Sequence, residues 1–231
     1  MMNNNVNVHE GHCARMRRRF RETGFEGFND HEILEMLLYY ACPRKDMNEI
    51  AHELINRFGS IAGVLDADYE ELITVKNITE NSATLFKMIP KFLPVYYNSR
   101  SEGVVYNSCD KLMSLFEPYF VGLTHEEFRL ACFDSNLRVL SNILIASGSP
   151  SASEFSMRKI IAEVLRTNAV SAVIAHNHPR SDSLASREDQ EATRQISFIL
   201  KHLDVQLVDH IIVIENRSIS LRQLGYITIF N

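Results

Sequence analysis

The hydrophobic period of this chain changes near residue 100, and that change limits the architectures open to it. Before it, apolar residues recur at helical spacing. Ile33, Leu34, Met36, Leu37, Leu38 and Tyr40 form one stripe, and Ile50, Ala51, Leu54, Ile55 and Phe58 form another. Each follows the three-to-four residue repeat of a helix that buries one face. Asp30 is the expected cap of the first helix and Pro43 its end; Asp46 is expected to open the second and Gly59 to stop it. Short helices are expected over 61–65 and 69–75, then a longer one from about Glu80 to Leu93 with a kink at Pro90. No alternating strand pattern interrupts this stretch.

The polar run Tyr97-Asn98-Ser99-Arg100-Ser101-Glu102-Gly103 is the expected boundary. It divides the chain into a helical domain over 1–98, a linker over 99–107 and a second domain over 108–231. In the second domain, Glu127 to Phe133 and Arg138 to Ala146 read as strands of a hairpin around Asp134-Ser135-Asn136. Ser156 is the expected cap of a helix through Leu165. Val170 to His176 reads as a short strand, Ser186 to Leu203 as a helix, and the β-branched run Val205 to Ile214 as a buried strand. The order β-β-α-β-α-β is compatible with α/β or α+β architecture.

Composition narrows the function classes. The 29 acidic residues against 24 Lys and Arg give a formal charge of −5, which excludes a globally basic nucleic-acid coat and leaves room for a local patch. The start of the chain is polar, without the apolar core of a signal peptide, and no stretch reaches the ~18 apolar residues of a membrane span. A soluble, cytoplasmic protein is expected. The four cysteines, Cys13, Cys42, Cys109 and Cys132, form no Cys-x-x-Cys pair, so a thiolate zinc knuckle is not indicated and reduced packing residues are expected.

The chemistry concentrates between Ala175 and Asp189. At the end of a strand, His176 and His178 stand two apart, so the strand's period turns both imidazoles to one face, where they can converge on one ion. Ser186 and Asp189 stand three apart where the next helix begins, as neighbours on one helix face. Taken alone, Ser186-x-x-Asp189 needs no function beyond a helix cap. Taken with the histidines, Asp189 completes a His, His, Asp set. Three protein ligands leave a fourth tetrahedral position to water, as in catalytic zinc sites.

The joint spacing His-x-His-x₇-Ser-x₂-Asp resembles the JAMM motif of MPN-domain metalloproteases, and flanking residues narrow the resemblance to the bacterial RadC family. That family's string is matched at His176, Asn177, His178, Pro179, Ser186 and Asp189. The run Val208-Asp209-His210-Ile211-Ile212-Val213 is similar to the family's strand after the motif. Arg57-Phe58-Gly59-Ser60-Ile61 and Val64-Leu65 match a phrase of its helical half. The sequence departs from the pattern at Arg180-Ser181 and Ala185 in the loop, and at Ser156-Met157-Arg158-Lys159, where only the arginine is kept. The turn Val75-Lys76-Asn77-Ile78-Thr79-Glu80 lacks the glycines of a phosphate-facing hairpin.

The resemblance implies an α+β chain: a helix-hairpin-helix-like N-terminal domain followed by an MPN domain of cytidine-deaminase-like architecture. It implies zinc held by His176, His178 and Asp189, a general base at Glu126 with Glu127 as its neighbour, and Ser186 donating to the oxyanion of a peptide or isopeptide carbonyl. His210 would stand behind a ligand and Asp209 would orient one, with a purely structural role the simpler reading of each. Two alternatives accompany the peptidase. Arg15, Arg17, Arg18, Arg19 and Arg21 could contact DNA phosphates in a repair or recombination accessory protein, although the first hundred residues hold 12 basic against 14 acidic groups. The other is a non-catalytic MPN scaffold.

Overall fold

Residues 8–42, 47–100, 103–148, 157–179, 185–214 and 217–227 are described by the structure, a computed structural model. The chain divides into two compact units, 1–92 and 93–231. The division falls between Phe92 and Leu93, inside a helix that continues to Arg100, so the expected linker begins in that helix's last turn.

The first unit contains helices α1 (Val8–Thr23), α2 (Asp30–Ala41), α3 (Asn48–Phe58), α4 (Ile61–Asp66), α5 (Tyr69–Ile73) and the first part of α6 (Glu80–Arg100). The apolar faces of α2 to α6 meet in one core around Leu34, Leu38, Met47, Leu54, Val64, Leu72 and Phe86. The start of α2 corrects the sequence expectation. Asn29 is the cap residue, its backbone N–H donating to Glu32 Oε2 at 2.8 Å. Asp30 instead reaches across the unit and accepts from the backbone N–H of Ile61, at 2.9 Å. The Pro43 stop, the Asp46 start and the Ser156 cap lie outside the described residues. Asn77 takes the left-handed conformation in the turn before α6, with φ of 68°, a role to which asparagine is suited where glycine is missing.

The second unit contains α7 (Cys109–Phe120), β1 (Glu127–Phe133), β2 (Val139–Ser147), α8 (Met157–Thr167), β3 (Ser171–Asn177), α9 (Arg187–Lys201), β4 (Gln206–Ile214) and β5 (Arg217–Ser220). The strands form one sheet in the order β2-β1-β3-β4-β5. The β1–β2, β1–β3 and β4–β5 pairs are antiparallel, and β3–β4 is parallel. A parallel neighbour needs a long crossover, and α9 supplies it. The mixed sheet with its helices is α+β.

Alternation assigns the two sheet faces. Phe128, Leu130 and Cys132 of β1 and Ala172 and Ile174 of β3 pack with Ile160 and Val164 of α8 and Ile196 and Leu200 of α9. Ala131, Phe133, Val173 and Ala175 point the other way, onto Leu112, Leu115, Phe116 and Phe120 of α7. Every residue of β3 is buried, as expected of a strand covered on both faces. His176 continues the face of Ala172 and Ile174, which is the face that α9 covers.

Candidate metal centre

The site forms where β3 ends and α9 begins. His176 pairs with Phe128 of β1 and Ile212 of β4; His178, just beyond the strand, is held by its backbone N–H donating to Val213 O at 2.8 Å. Both imidazoles are buried. On the helix side, Ser186 is the N-cap of α9 and Asp189 its third residue, joined in a reciprocal capping box. The Asp189 N–H donates to Ser186 Oγ at 3.0 Å, and the Ser186 N–H donates to Asp189 Oδ2 at 2.7 Å. The cap reading of this pair is therefore correct, and it also aims the Asp189 carboxylate. The hydroxyl proton of Ser186 is not used by the cap, where the oxygen accepts.

Ligand atoms of three residues converge. His176 Nε2 lies 2.8 Å from His178 Nε2 and 3.0 Å from Asp189 Oδ1, and His178 Nε2 lies 3.5 Å from Asp189 Oδ2. A tetrahedral zinc with bonds of about 2.05 Å sets its ligands about 3.3 Å apart, and the spacing between the two imidazole nitrogens and from each to one carboxylate oxygen of Asp189 is of that order. Two imidazole nitrogens and a carboxylate so close repel one another unless a proton or a cation sits among them. His176, His178 and Asp189 are the one group of this kind among the described residues. Burial pushes the Asp189 carboxyl up, but the His176 bond and charge and the Ser186 backbone N–H outweigh it and hold the group well below the ordinary carboxylate range.

Two buried residues back the site. His210 of β4 places Nε2 2.8 Å from His176 Nδ1, and its Nδ1 lies 2.6 Å from Thr193 Oγ1 of α9. Complete burial drives the His210 pKa well below the usual imidazole value. His210 thus stands behind a candidate ligand, as the sequence suggested. Asp209 does not orient one. Its carboxylate accepts from Ser220 Oγ at 2.6 Å and from the N–H groups of His210 and Arg222 at 2.7 and 3.1 Å, tying β4 to β5 and the turn beyond. Sequence reasoning passed over Thr193; the available signal was its position four residues after Asp189, on the same helix face.

The two candidate bases are separated by the pleat. Glu127 turns toward Arg129 and His125, with oxygen-to-nitrogen distances of 3.6 Å to each, and Arg129 stacks at 3.9 Å on Tyr119 of α7. Glu126, one residue before β1 and half-buried, falls by alternation on the face of Phe128, whose ring stacks 6.2 Å from that of His176. Asn177 grips the backbone on both sides of Glu126: its Oδ1 accepts from the Glu127 N–H at 2.7 Å and its Nδ2 donates to His125 O at 3.0 Å.

The remaining features lie elsewhere. Ala185 packs near Ile212, Ile214 and Leu221, while Arg180 and Ser181 lie outside the described residues. Of the five arginines of α1, Arg19 is engaged within its own unit, bonded to Glu32 at 2.9 Å and to Gly27 O and stacked 3.9 Å over Phe28; Arg15, Arg17, Arg18 and Arg21 are exposed. Among the described residues, no helix is long and apolar enough to cross a membrane.

A mixed sheet whose strand ends in a His-x-His pair, followed by a crossover helix that begins with the third candidate ligand, is the arrangement of a JAB or MPN domain. Residues 106–226 match the RadC-like JAB domain. The chain is also similar to UPF0758 protein FN0909 of Fusobacterium nucleatum subsp. nucleatum, at 31% identity over 226 residues, covering 94% of this chain and 97% of that protein. The chain belongs to the RadC family.

Proposed function

We propose that this protein is a zinc-dependent hydrolase of the JAMM type, acting on a peptide or isopeptide carbonyl. The observation that carries this reading is the convergence of three side chains: His176 Nε2 lies 2.8 Å from His178 Nε2 and 3.0 Å from Asp189 Oδ1, and His178 Nε2 lies 3.5 Å from Asp189 Oδ2. Those three residues would hold the ion, and among the described residues they are the one such group, three protein donors being the count of a catalytic site and not of a closed structural one. Zinc bound there lowers the pKa of water toward neutrality and polarises a carbonyl.

The chain's own residues do the rest. Glu126 takes a proton from the attacking water and delivers it to the amine that leaves when the C–N bond breaks. Its alternation onto the Phe128 face supports it over Glu127, which is paired to His125 and Arg129. Ser186, with its oxygen accepting the cap bond, donates its hydroxyl proton to the carbonyl oxygen as negative charge develops there. The acidic Asp189 stays ionised as a ligand throughout the neutral pH range.

Elemental analysis of purified protein tests the reading together with cleavage profiling of a peptide and isopeptide library, with zinc and with chelator. One zinc per chain, its loss in His176→Ala and chelator-sensitive cleavage that Glu126→Gln abolishes and Glu127→Gln retains are expected. Unchanged zinc in His176→Ala refutes the ligand set. A zinc-loaded chain that cleaves nothing in the library favours the scaffold.

A further inference from the structure

Behind the candidate ligands, the directions of three hydrogen bonds can be assigned by counting protons. Thr193 Oγ1 lies 2.5 Å from the backbone oxygen of Asp189, four residues earlier in α9. A carbonyl oxygen only accepts, so the single hydroxyl proton of Thr193 is committed to it. The same oxygen lies 2.6 Å from His210 Nδ1, and with its proton already placed it accepts there. His210 Nδ1 therefore carries the hydrogen. Both ring nitrogens of His210 are engaged, by Thr193 and by His176, and among the described residues no carboxylate bonds the buried ring to balance a charge on it, so it carries one N–H, and Nε2 presents a lone pair that accepts across 2.8 Å from His176 Nδ1. His176 carries its hydrogen on Nδ1, and its Nε2 faces His178 and Asp189.

The reverse direction has a defect. A Thr193 proton aimed at His210 would leave two oxygen lone pairs facing each other across 2.5 Å, and the His210 Nε2–H would then make His176 Nδ1 an acceptor. That tautomer places the His176 hydrogen on Nε2, where it blocks coordination. All three side chains are buried, with Thr193 3% and His210 0% exposed, so water does not offer a substitute partner. Phe128 closes the remaining side, its ring 6.0 Å from His210 and 6.2 Å from His176.

We infer that Thr193 and His210 are positioning residues that fix the tautomer of His176, through the chain Asp189 O, Thr193 hydroxyl, His210, His176, and so hold Nε2 ready for a divalent metal ion. The arrangement makes the first turn of α9 serve twice. It brings the Asp189 carboxylate to the metal and, through the backbone oxygen of the same residue, sets the proton on the opposing histidine. The inference rests on the zinc reading above.

Long-range ¹H–¹⁵N correlation spectra of histidine-labelled protein report tautomers directly, and zinc competition with a chromogenic chelator reports affinity. In the zinc-loaded protein both His176 and His210 are expected as Nδ1–H tautomers. Thr193→Val is expected to populate the Nε2–H form of His210 and to weaken zinc binding about ten- to a hundredfold, whereas Thr193→Ser, which keeps the hydroxyl, restores both. An Nε2–H tautomer at His210 in the zinc-loaded wild type overturns the inference alone, and this measurement needs no variant to fold. So does a folded Thr193→Val protein that binds zinc as tightly as the wild type. A wild type that binds no zinc overturns the metal reading and this inference with it.

Discussion

Substituting Ser186 by alanine and, separately, by glycine distinguishes its two roles. As N-cap, its hydroxyl accepts one bond, from the Asp189 N–H at 3.0 Å, while the return bond from the Ser186 backbone to Asp189 Oδ2 at 2.7 Å survives any side chain but proline. Ser186→Ala therefore costs about 1 kcal/mol of stability, and Ser186→Gly only a few tenths, because glycine is itself a tolerated cap. For a chain of this length, about 1 kcal/mol lowers the melting temperature by roughly 2–4 °C. The retained backbone bond keeps Asp189 aimed, so zinc affinity falls by less than about tenfold in either variant, since tenfold corresponds to about 1.4 kcal/mol. Turnover behaves differently. Both variants lack the donor to the oxyanion, and each should lose about 10²–10³ in kcat, as removal of one such donor does elsewhere. The assay is a melting curve, a zinc titration and kcat on the best-cleaved library peptide, for the three proteins side by side. If turnover tracks stability, so that glycine restores most of what alanine loses, Ser186 is a cap and nothing more.

Two further outcomes are expected. Phe128→Ala should cost about 3–5 kcal/mol, as an emptied aromatic site in a packed core does, and should weaken zinc binding too, because its fully buried ring lies against both His176 and His210; urea unfolding and zinc titration check this. Glu163 receives two bonds from Arg166 at 2.7 and 2.9 Å, which hold its carboxyl down at about 2. The folded pKa is depressed, so the stabilisation is complete above the ordinary carboxylate range and is lost as pH falls through it toward 2. Glu163→Gln should flatten the decline in the urea midpoint between pH 5 and 3, and an unaltered slope refutes the assignment.

Much of the second unit was legible because its signals are local. The hairpin around residues 134–136, the strand before His176 and the buried run of β4 each carry their pattern within ten residues. Helix α7 is not among the elements expected from the sequence; Pro118 sits in its last turn, where it removes one late N–H donor and leaves the earlier turns intact. The cap of α2 was displaced by one residue because Asn29 and Asp30 are both good caps. The deciding fact, the bond from Ile61 to Asp30, spans 31 residues. At the site, the spacing of His176, His178, Ser186 and Asp189 was readable because strand and helix periods are fixed numbers. The Thr193–His210–His176 chain was not, since it depends on the parallel register that sets His210 beside Ile174, a pairing that no local pattern encodes.

The same distinction explains why Asn177 is informative. A residue between two metal-binding histidines on a strand must point to the opposite face, so a His-x-His pair by itself leaves the middle side chain free of metal chemistry. Here that side chain is an amide, with one acceptor and one donor group, and both are spent on the backbone flanking Glu126. A hydrophobic residue there would leave the Glu127 N–H and the His125 carbonyl without these partners. The two candidate ligands thus project from one face of the β3 end, while the residue between them fixes, from the other face, the backbone that carries the proposed base. In this arrangement three consecutive residues at the end of β3 and just beyond it position both the candidate ligands and, through the backbone, the proposed base, and the distance between them is set by the pairing of β1 with β3.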